Sequence, residues 1–321
     1  MVQRLLLASP RGYCAGVERA VETVERALKL YGRPVYVRKQ IVHNLHVVSD
    51  LERRGAIFVD ELSDVPRGAT VVFSAHGVAP AVRADAGARG LTAVDATCPL
   101  VTKVHAQAKR YAERGYAIVL VGHAGHEEVE GTLGEAPDAI VLVESVEDAE
   151  RISLPVGRPL AYVTQTTLSV DETSEIVAVL RRRFPRIEGP AREDICYATT
   201  NRQRAVKELV GQVELLLVIG SRNSSNSNRL VEVARAAGVE AHLVEDERAI
   251  DERWLAGRET VGLTSGASAP ERLVERVCDW FRARGVTEVR EVEASSAEDV
   301  FFKLPVELRR AEAAAAQPSA A

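Results

Sequence analysis

Short runs of aliphatic and β-branched residues alternate along this chain with longer stretches whose apolar positions recur every three or four residues. RLLLAS (4–9) predicts a strand, and VERAVETVERALKLYG, beyond Cys14, predicts a helix closed by Gly32. PVYVR, LHVVSDLERRG and ATVVFSA then read as strand, helix and strand. Further strands are predicted at 117–122, 139–144, 160–165, 214–220 and 260–265, with helices near 99–114, 170–184, 199–211, 226–237 and 269–284. The strands are near-continuous apolar runs, so they predict parallel sheets covered by helices on both faces. Polar loops follow several strands directly: VVFS-AHG, VLVG-HAGH, AYVT-QTT, LVIG-SRNSSN and VGLT-SGAS. The carboxyl ends of strands are where open α/β sheets bind ligands.

A second pattern has a longer period. Cys14, Cys98 and Cys196 lie about 84 and then 98 residues apart, each in a loop leading into a predicted helix: RGYCAG, DATCPL and DICYATT. About 25 to 29 residues after each comes a first polar loop, with His43, with His123 and His126, and with the serines after Ile219. About 62 to 72 residues after each comes a second, with His76, Thr166 and Ser268. This is the signature of three diverged copies of one α/β unit, each supplying one thiol and two polar loops to a shared centre. The units are expected at 1–97, 98–195 and 196–282, with 283–310 returning to pack on the first. The end, 311–321, is low in complexity and expected to be a disordered tail.

Composition narrows the class. The 321 residues are 46% hydrophobic and 27% charged, the make-up of an ordinary globular protein with ample core. A formal net charge of −5 and the lack of any basic block argue against a nucleic-acid partner. No run approaches the roughly 18 apolar residues that span a bilayer, and the opening MVQRLLLASPRG is too short for a signal-peptide core. A cytoplasmic location is the expectation, and a chain this large in a reducing compartment has no need of disulfides.

The thiols carry the most chemistry. Cys278 stands apart, on the helical pattern ERLVERVCDWFRARG, where it reads as a small buried hydrophobe. The other three have no C-x2-C pairing of the kind structural zinc favours. Three thiolates suit an iron–sulfur cluster with one iron held by something other than cysteine. A catalytic zinc with Cys and His ligands, or simply buried thiols, remain open on these residues alone. The polar loops add imidazoles at His43, His76 and His126, and a carboxylate, Glu128, two residues beyond His126. A partly buried Glu there suits proton delivery, whereas Glu127, Glu128 and Glu130 together also read as an acidic helix start. GSRNSSNSNRL and TSGASAPE offer hydroxyls, amides and backbone N–H groups at helix entrances, a suitable cradle for phosphate. There is neither a Walker A loop nor a G-x-G-x-x-G. A small, enclosed phosphate ester fits better than a polymer.

Taken together, PRGYCAGVERA, YVRKQIVHN, FSAHGV, DATCPLVTKVH, GHAGHEEVEGT, TQTTLSVDET, DICYATTNRQ, GSRNSSNSNRL and GASAPE resemble, in order, the motifs of the 4-hydroxy-3-methylbut-2-enyl diphosphate reductase family. The resemblance runs from about Leu6 to Arg309. It implies three α/β units in a pseudo-threefold trefoil around a central [4Fe–4S] cluster held by Cys14, Cys98 and Cys196. It implies a diphosphate site of His43, His76, His126, Ser224, Ser225, Asn226 and Ser268. Glu128 and Thr166 would bracket the substrate hydroxyl and, with His126, form the catalytic set, with Gln165 as near neighbour. The implied reaction is reductive dehydroxylation to isopentenyl and dimethylallyl diphosphate, the last step of the non-mevalonate pathway. Electrons would come from a ferredoxin- or flavodoxin-type partner, since no flavin or nicotinamide motif is present. Two departures stand out: Lys39-Gln40 where the family commonly has His-Glu, and Glu127 where it often has Pro. A zinc-dependent phosphoester hydrolase and an oxygen-sensing cluster protein are the rival readings of the same residues.

Overall fold

The computed structural model of the protein describes residues 2–294 and 298–315. Along the chain, β1 (Arg4–Ser9) and α1 (Ala15–Tyr31) are followed by β2 (Val35–Arg38), α2 (Leu45–Arg53), β3 (Ala56–Val59), β4 (Thr70–Phe73), α3 (Pro80–Ala88) and β5 (Thr92–Asp95). Next come α4 (Pro99–Glu113), β6 (Ala117–Val121), α5 (Glu127–Leu133), β7 (Ile140–Val143), α6 (Val146–Arg151), β8 (Leu160–Thr164) and α7 (Val170–Arg183). The last part holds α8 (Tyr197–Val210), β9 (Leu215–Ile219), α9 (Ser225–Ala236), β10 (Glu240–Val244), β11 (Thr260–Ser265), α10 (Glu271–Arg282), β12 (Glu288–Glu293) and α11 (Val306–Ala315).

These strands form three separate sheets, ordered β3-β2-β4-β5, β7-β6-β8 and β10-β9-β11-β1-β12. Every pairing is parallel. The central strands are apolar throughout because both faces are covered: all five residues of β6 (AIVLV) and of β9 (LLLVI) are buried. The helices bury one stripe each. In α1 that stripe is Val17, Ala20, Val24 and Ala27, packed with Val35, Val37 and Val72 of the first sheet. Gly32 takes the left-handed φ of +79° that stops α1. This is the expected trefoil of three parallel α/β units.

One plan recurs in each sheet. The strand after a cysteine-headed helix (β2, β6, β9) lies between the next strand (β3, β7, β10) and the one after that (β4, β8, β11). The segment that precedes the following cysteine then adds outside the last of these. In the first sheet that segment is β5; in the second it is only a bridge from Glu188 to Ala161 of β8. In the third it is β1, which reaches Cys14 from β11. The ring of units therefore closes on itself, and β1, expected with residues 1–97, sits in the third sheet. It has no preceding unit in sequence, and the edge of β11 is the position its two fellows occupy.

The C-terminal segment also differs from the expectation. Strand β12 extends the third sheet beside β1, and only the later part of the segment, Lys303, Leu304 and α11, returns to the first unit, where Leu308 is fully buried among α1 side chains. Helix α11 runs through Ala315, so it includes the start of the stretch expected as a tail; 316–321 lie outside the described residues. Among the described residues no helix is long and apolar enough to cross a membrane.

Candidate active site

All three cysteines are helix N-caps: Cys14 on α1, Cys98 on α4 and Cys196 on α8. Each sulfur thus sits where unpaired N–H groups and the helix dipole favour negative charge. Cys196 shows this directly, its Sγ accepting from the Thr199 N–H at 3.4 Å with the Thr199 hydroxyl 3.2 Å away. All are free thiols. Gly16 is what lets them converge: a Cβ there would stand 2.7 Å from the Cys98 sulfur and 3.8 Å from that of Cys14.

Desolvation dominates the electrostatics of these thiols. Burial, and then the neighbouring Cys14, push Cys98 up to about 12 and Cys196 up to about 11. Cys14 is also raised by burial, against a lowering influence from Arg202. Without a cation the three clustered thiols stay protonated; a bound metal would have to displace those protons. Their spread discriminates between centres. Tetrahedral zinc at about 2.3 Å would bring sulfurs to about 3.8 Å from one another. Among the described residues the set of three ligand atoms falling within 4.8 Å is His43, His76 and Glu127, and the three sulfurs form no such set. The thiols suit a multi-iron cluster better than a single zinc ion.

The polar loops close the other side of the same cavity. They leave the carboxyl ends of hydrogen-bonded strand pairs: β2 and β4, β6 and β8, β9 and β11. From the first pair come His43 and His76, whose rings stack with centroids 4.0 Å apart. His126, the N-cap of α5, stands edge-on to both at 5.4 and 5.7 Å. Burial lowers all three imidazoles, His43 to about 2, His126 to about 3 and His76 to about 4, so they are neutral at neutral pH.

Glu128 follows His126 into the first turn of α5 and is 2% exposed. Its Oε1 accepts the Thr166 N–H at 2.6 Å and its Oε2 the Thr166 hydroxyl at 3.1 Å. Burial raises it to about 7, the two Thr166 bonds opposing the shift and Asp194 adding to it. The solvated acidic-helix reading holds for Glu130 alone, which is exposed; Glu128 is turned inward and Glu127 is half-buried against His76.

From the third pair, Ser224 caps α9, and Asn226 receives the Ala267 N–H while donating to the Thr199 hydroxyl. Ser268 donates to the carbonyl of His43 at 2.9 Å, tying the third unit to the first. Ser225 donates to Thr167 O. Every expected site residue lines this one cavity: the three cysteines, the three histidines, Glu128, Thr166, Ser224, Ser225, Asn226 and Ser268. Gln165 is buried behind them, receiving the His123 N–H and donating to Thr167.

Some residues lie elsewhere. Cys278 sits in the core beneath α10. His105 is packed between Gly77 and Gly131 and paired with Glu135 at 3.0 Å. His242 stacks on Trp254. Ser227, one of the cradle serines, is fully buried against Gly220 and Gly266, where a Cβ would meet its hydroxyl at 2.2 and 2.0 Å.

Other contributors had no role assigned to them from the sequence, although three of them lie in the quoted motif DICYATTNRQ. Thr199 joins Cys196 to Asn226, and Tyr197 receives the Ala15 N–H beside Cys14. Arg202, with no exposed surface, donates to the carbonyls of Gly12, Tyr13 and Ala198 and to Glu298. It links the Cys14 loop, the Cys196 helix and the C-terminal segment. Phe302 of that segment reaches the cavity itself.

Fold and site define a class: a three-unit α/β protein whose three clustered thiols face an imidazole- and hydroxyl-lined pocket. Residues 5–282 match the LytB protein family, and the chain belongs to that family. It is 59% identical to the 4-hydroxy-3-methylbut-2-enyl diphosphate reductase of Acidothermus cellulolyticus, over 98% of this chain and 93% of that one. The enzyme of the same name from Ralstonia nicotianae is 56% identical over 94% of this chain and 93% of its own. The solved E-1-hydroxy-2-methyl-but-2-enyl-4-diphosphate reductase of Plasmodium falciparum superposes with a TM-score of 0.96 at 39% identity, covering 99% of this chain and all of that one.

Proposed function

We propose that this chain catalyses the reductive dehydroxylation of 4-hydroxy-3-methylbut-2-enyl diphosphate to isopentenyl and dimethylallyl diphosphate, the terminal step of the non-mevalonate pathway. The observation that carries this reading is the meeting, in one cavity, of three N-cap thiols with a neutral-pH carboxylic acid and an imidazole–hydroxyl cradle. Family membership and the near full-length likeness to reductases of that name support it.

Cys14, Cys98 and Cys196 would hold one [4Fe–4S] cluster per chain, leaving one iron without a cysteine. When bound, such a cluster supplies electrons singly and a Lewis-acidic iron at its open corner. The chain's own residues do the rest. His43, His76 and His126, with Ser224, Ser225, Asn226 and Ser268, hold the diphosphate through neutral donors and orient the allylic alcohol. Glu128, still protonated near pH 7, delivers a proton to the departing hydroxyl, and Thr166 holds the acid in place from both sides. Over the whole reaction two electrons and two protons enter, the C–O bond breaks, water leaves and one C–H bond forms. Burial of the site keeps bulk water from the reactive carbon. The electrons come from a ferredoxin- or flavodoxin-type protein, and the enzyme works in the cytoplasm.

The test is an anaerobic iron and sulfide count per chain together with turnover of the hydroxylated diphosphate under a chemical reductant. Four irons and both products are expected. An iron-free, colourless and active protein would overturn the reading in favour of zinc chemistry; iron without turnover would favour a sensor.

A further inference from the structure

The three cavity imidazoles are not equivalent, and the difference lies in what holds each Nδ1. His126 Nδ1 faces the Glu128 backbone N–H at 3.1 Å. A backbone N–H can only donate, so this Nδ1 carries the lone pair and Nε2 carries the proton. His43 Nδ1 meets both the Asn223 amide nitrogen at 3.2 Å and the Gln40 amide oxygen at 3.4 Å, so its surroundings accommodate a proton on either ring nitrogen. The neutral His126 ring therefore offers an N–H to an anion in the cavity, and His43 can do so without gaining a proton. His76 is the reverse case. Its Nδ1 lies 2.9 Å from Oε2 of Glu127, an acceptor when ionised. The Nδ1 proton then points at Glu127, and Nε2 is left with a bare lone pair, which repels a phosphate oxygen.

We infer that the His76–Glu127 pair takes up one proton when a diphosphate binds, making Glu127 a positioning residue that couples substrate binding to pH. The inference rests on the reading of this cavity as a diphosphate site. Before binding the pair holds one proton and one negative charge. Afterwards it holds two protons and no net charge, and His76 Nε2–H donates to the ligand. The result is the same whether the second proton is drawn on the imidazole or shared with the carboxylate.

The surroundings favour this exchange. Glu127 is raised by burial, against lowering influences from His43, His126, Lys39 and Arg38. Lys39 and Arg38 are themselves paired, with Asp60 and Glu61. The Ser74 hydroxyl is the other polar group near the pair, 3.4 Å from His76 Nδ1 and 3.5 Å from Glu127. Glu128, next in sequence, is turned toward Thr166. Among the described residues neither Lys nor Arg lines the cavity, so a proton taken up by the pair would add positive charge where the diphosphate binds.

The experiment is titration calorimetry of the anaerobic holoenzyme with isopentenyl diphosphate near pH 8, in two buffers of different ionisation enthalpy, for wild type and Glu127→Gln. Wild type is expected to take up about one proton per site, and its Kd to rise by up to about tenfold per pH unit above neutrality. Glu127→Gln, whose amide can donate to Nδ1 and turn Nε2 into a neutral donor, is expected to bind with little or no uptake and a flatter pH dependence. Cluster absorption reports whether the variant is intact, and the wild-type uptake stands as a test without it. Binding with no uptake in wild type, or with uptake retained in Glu127→Gln, overturns the inference. Failure of intact wild type to bind the diphosphate at all overturns the reading of the cavity instead.

Discussion

Replacing Glu128 by Gln separates its stability and catalytic effects in opposite directions. The carboxyl is 2% exposed and pushed from 4.5 to about 7 by desolvation. A folded acid whose pKa is raised binds its proton more tightly than the unfolded chain does. Below about 4.5 both states are protonated and the group has no effect on stability. Between 4.5 and about 7 the unfolded chain ionises while the folded one resists, so stability falls as pH rises. Above about 7 the penalty is fully present. Holding the proton to about pH 7 instead of 4.5 corresponds to about 3 kcal/mol.

Glutamine cannot ionise and keeps both contacts, its oxygen accepting the Thr166 N–H and its amide donating to the Thr166 hydroxyl. Glu128→Gln is therefore expected to be up to about 3 kcal/mol more stable than wild type near pH 8, with the gain fading toward pH 5. Turnover should fall by roughly 100- to 10,000-fold, the usual loss of a general acid. Wild-type kcat should itself decline as pH rises through about 7, as the acid loses its proton. Urea denaturation of both anaerobic holoproteins at four pH values, beside single-turnover rates, reads each effect. A stability difference independent of pH would refute the burial argument, and turnover within tenfold of wild type would remove Glu128 from the proton path.

Gly16→Ala places a methyl 2.7 Å from the Cys98 sulfur, so iron content should drop while far-ultraviolet circular dichroism stays near that of wild type. Arg202→Met strips the partner from Glu298, which is 12% exposed, and from the carbonyls of Gly12 and Tyr13; a loss of about 1–3 kcal/mol in urea denaturation is expected. Arg202→Lys should recover little of it, since one ammonium cannot replace the fork. Cys278→Ser should leave the iron count unchanged, because its sulfur lies in the core under α10; a fall in iron would make it a ligand.

How far the fold could be read from sequence depended on where each strand lies in its sheet. All six strands flanked on both sides, β1, β2, β4, β6, β9 and β11, show as apolar runs, because both faces are covered. The four strands that escaped notice, β3, β5, β10 and β12, are all at sheet edges. β12 is the extreme case: EVREVE buries no residue fully, and its charges blunt an edge that would otherwise invite pairing. The cyclic closure through β1 was hidden for a related reason. Apolarity shows that a strand is buried but not which sheet buries it, and a repeat read from the first cysteine onward assigns β1 to the unit that follows it.

The site was legible as residue types at a repeating spacing, because strand ends and helix N-termini fall at the same points of each unit. What spacing could not carry was the partner of each polar atom. Glu127 read as one of three acids on a helix start, yet two consecutive positions on α5 place its neighbours in different settings. Glu128 faces Thr166 and Glu127 faces His76, while Glu130 remains in solvent. Inside a largely buried cavity these small differences decide the chemistry. A hydrogen bond there outweighs its value in water, and an unpaired charge is expelled rather than screened. Glu128 is thereby raised toward neutral pH, and the atom facing Nδ1 of His126 and of His76 decides whether that ring meets an anion with a proton or a lone pair.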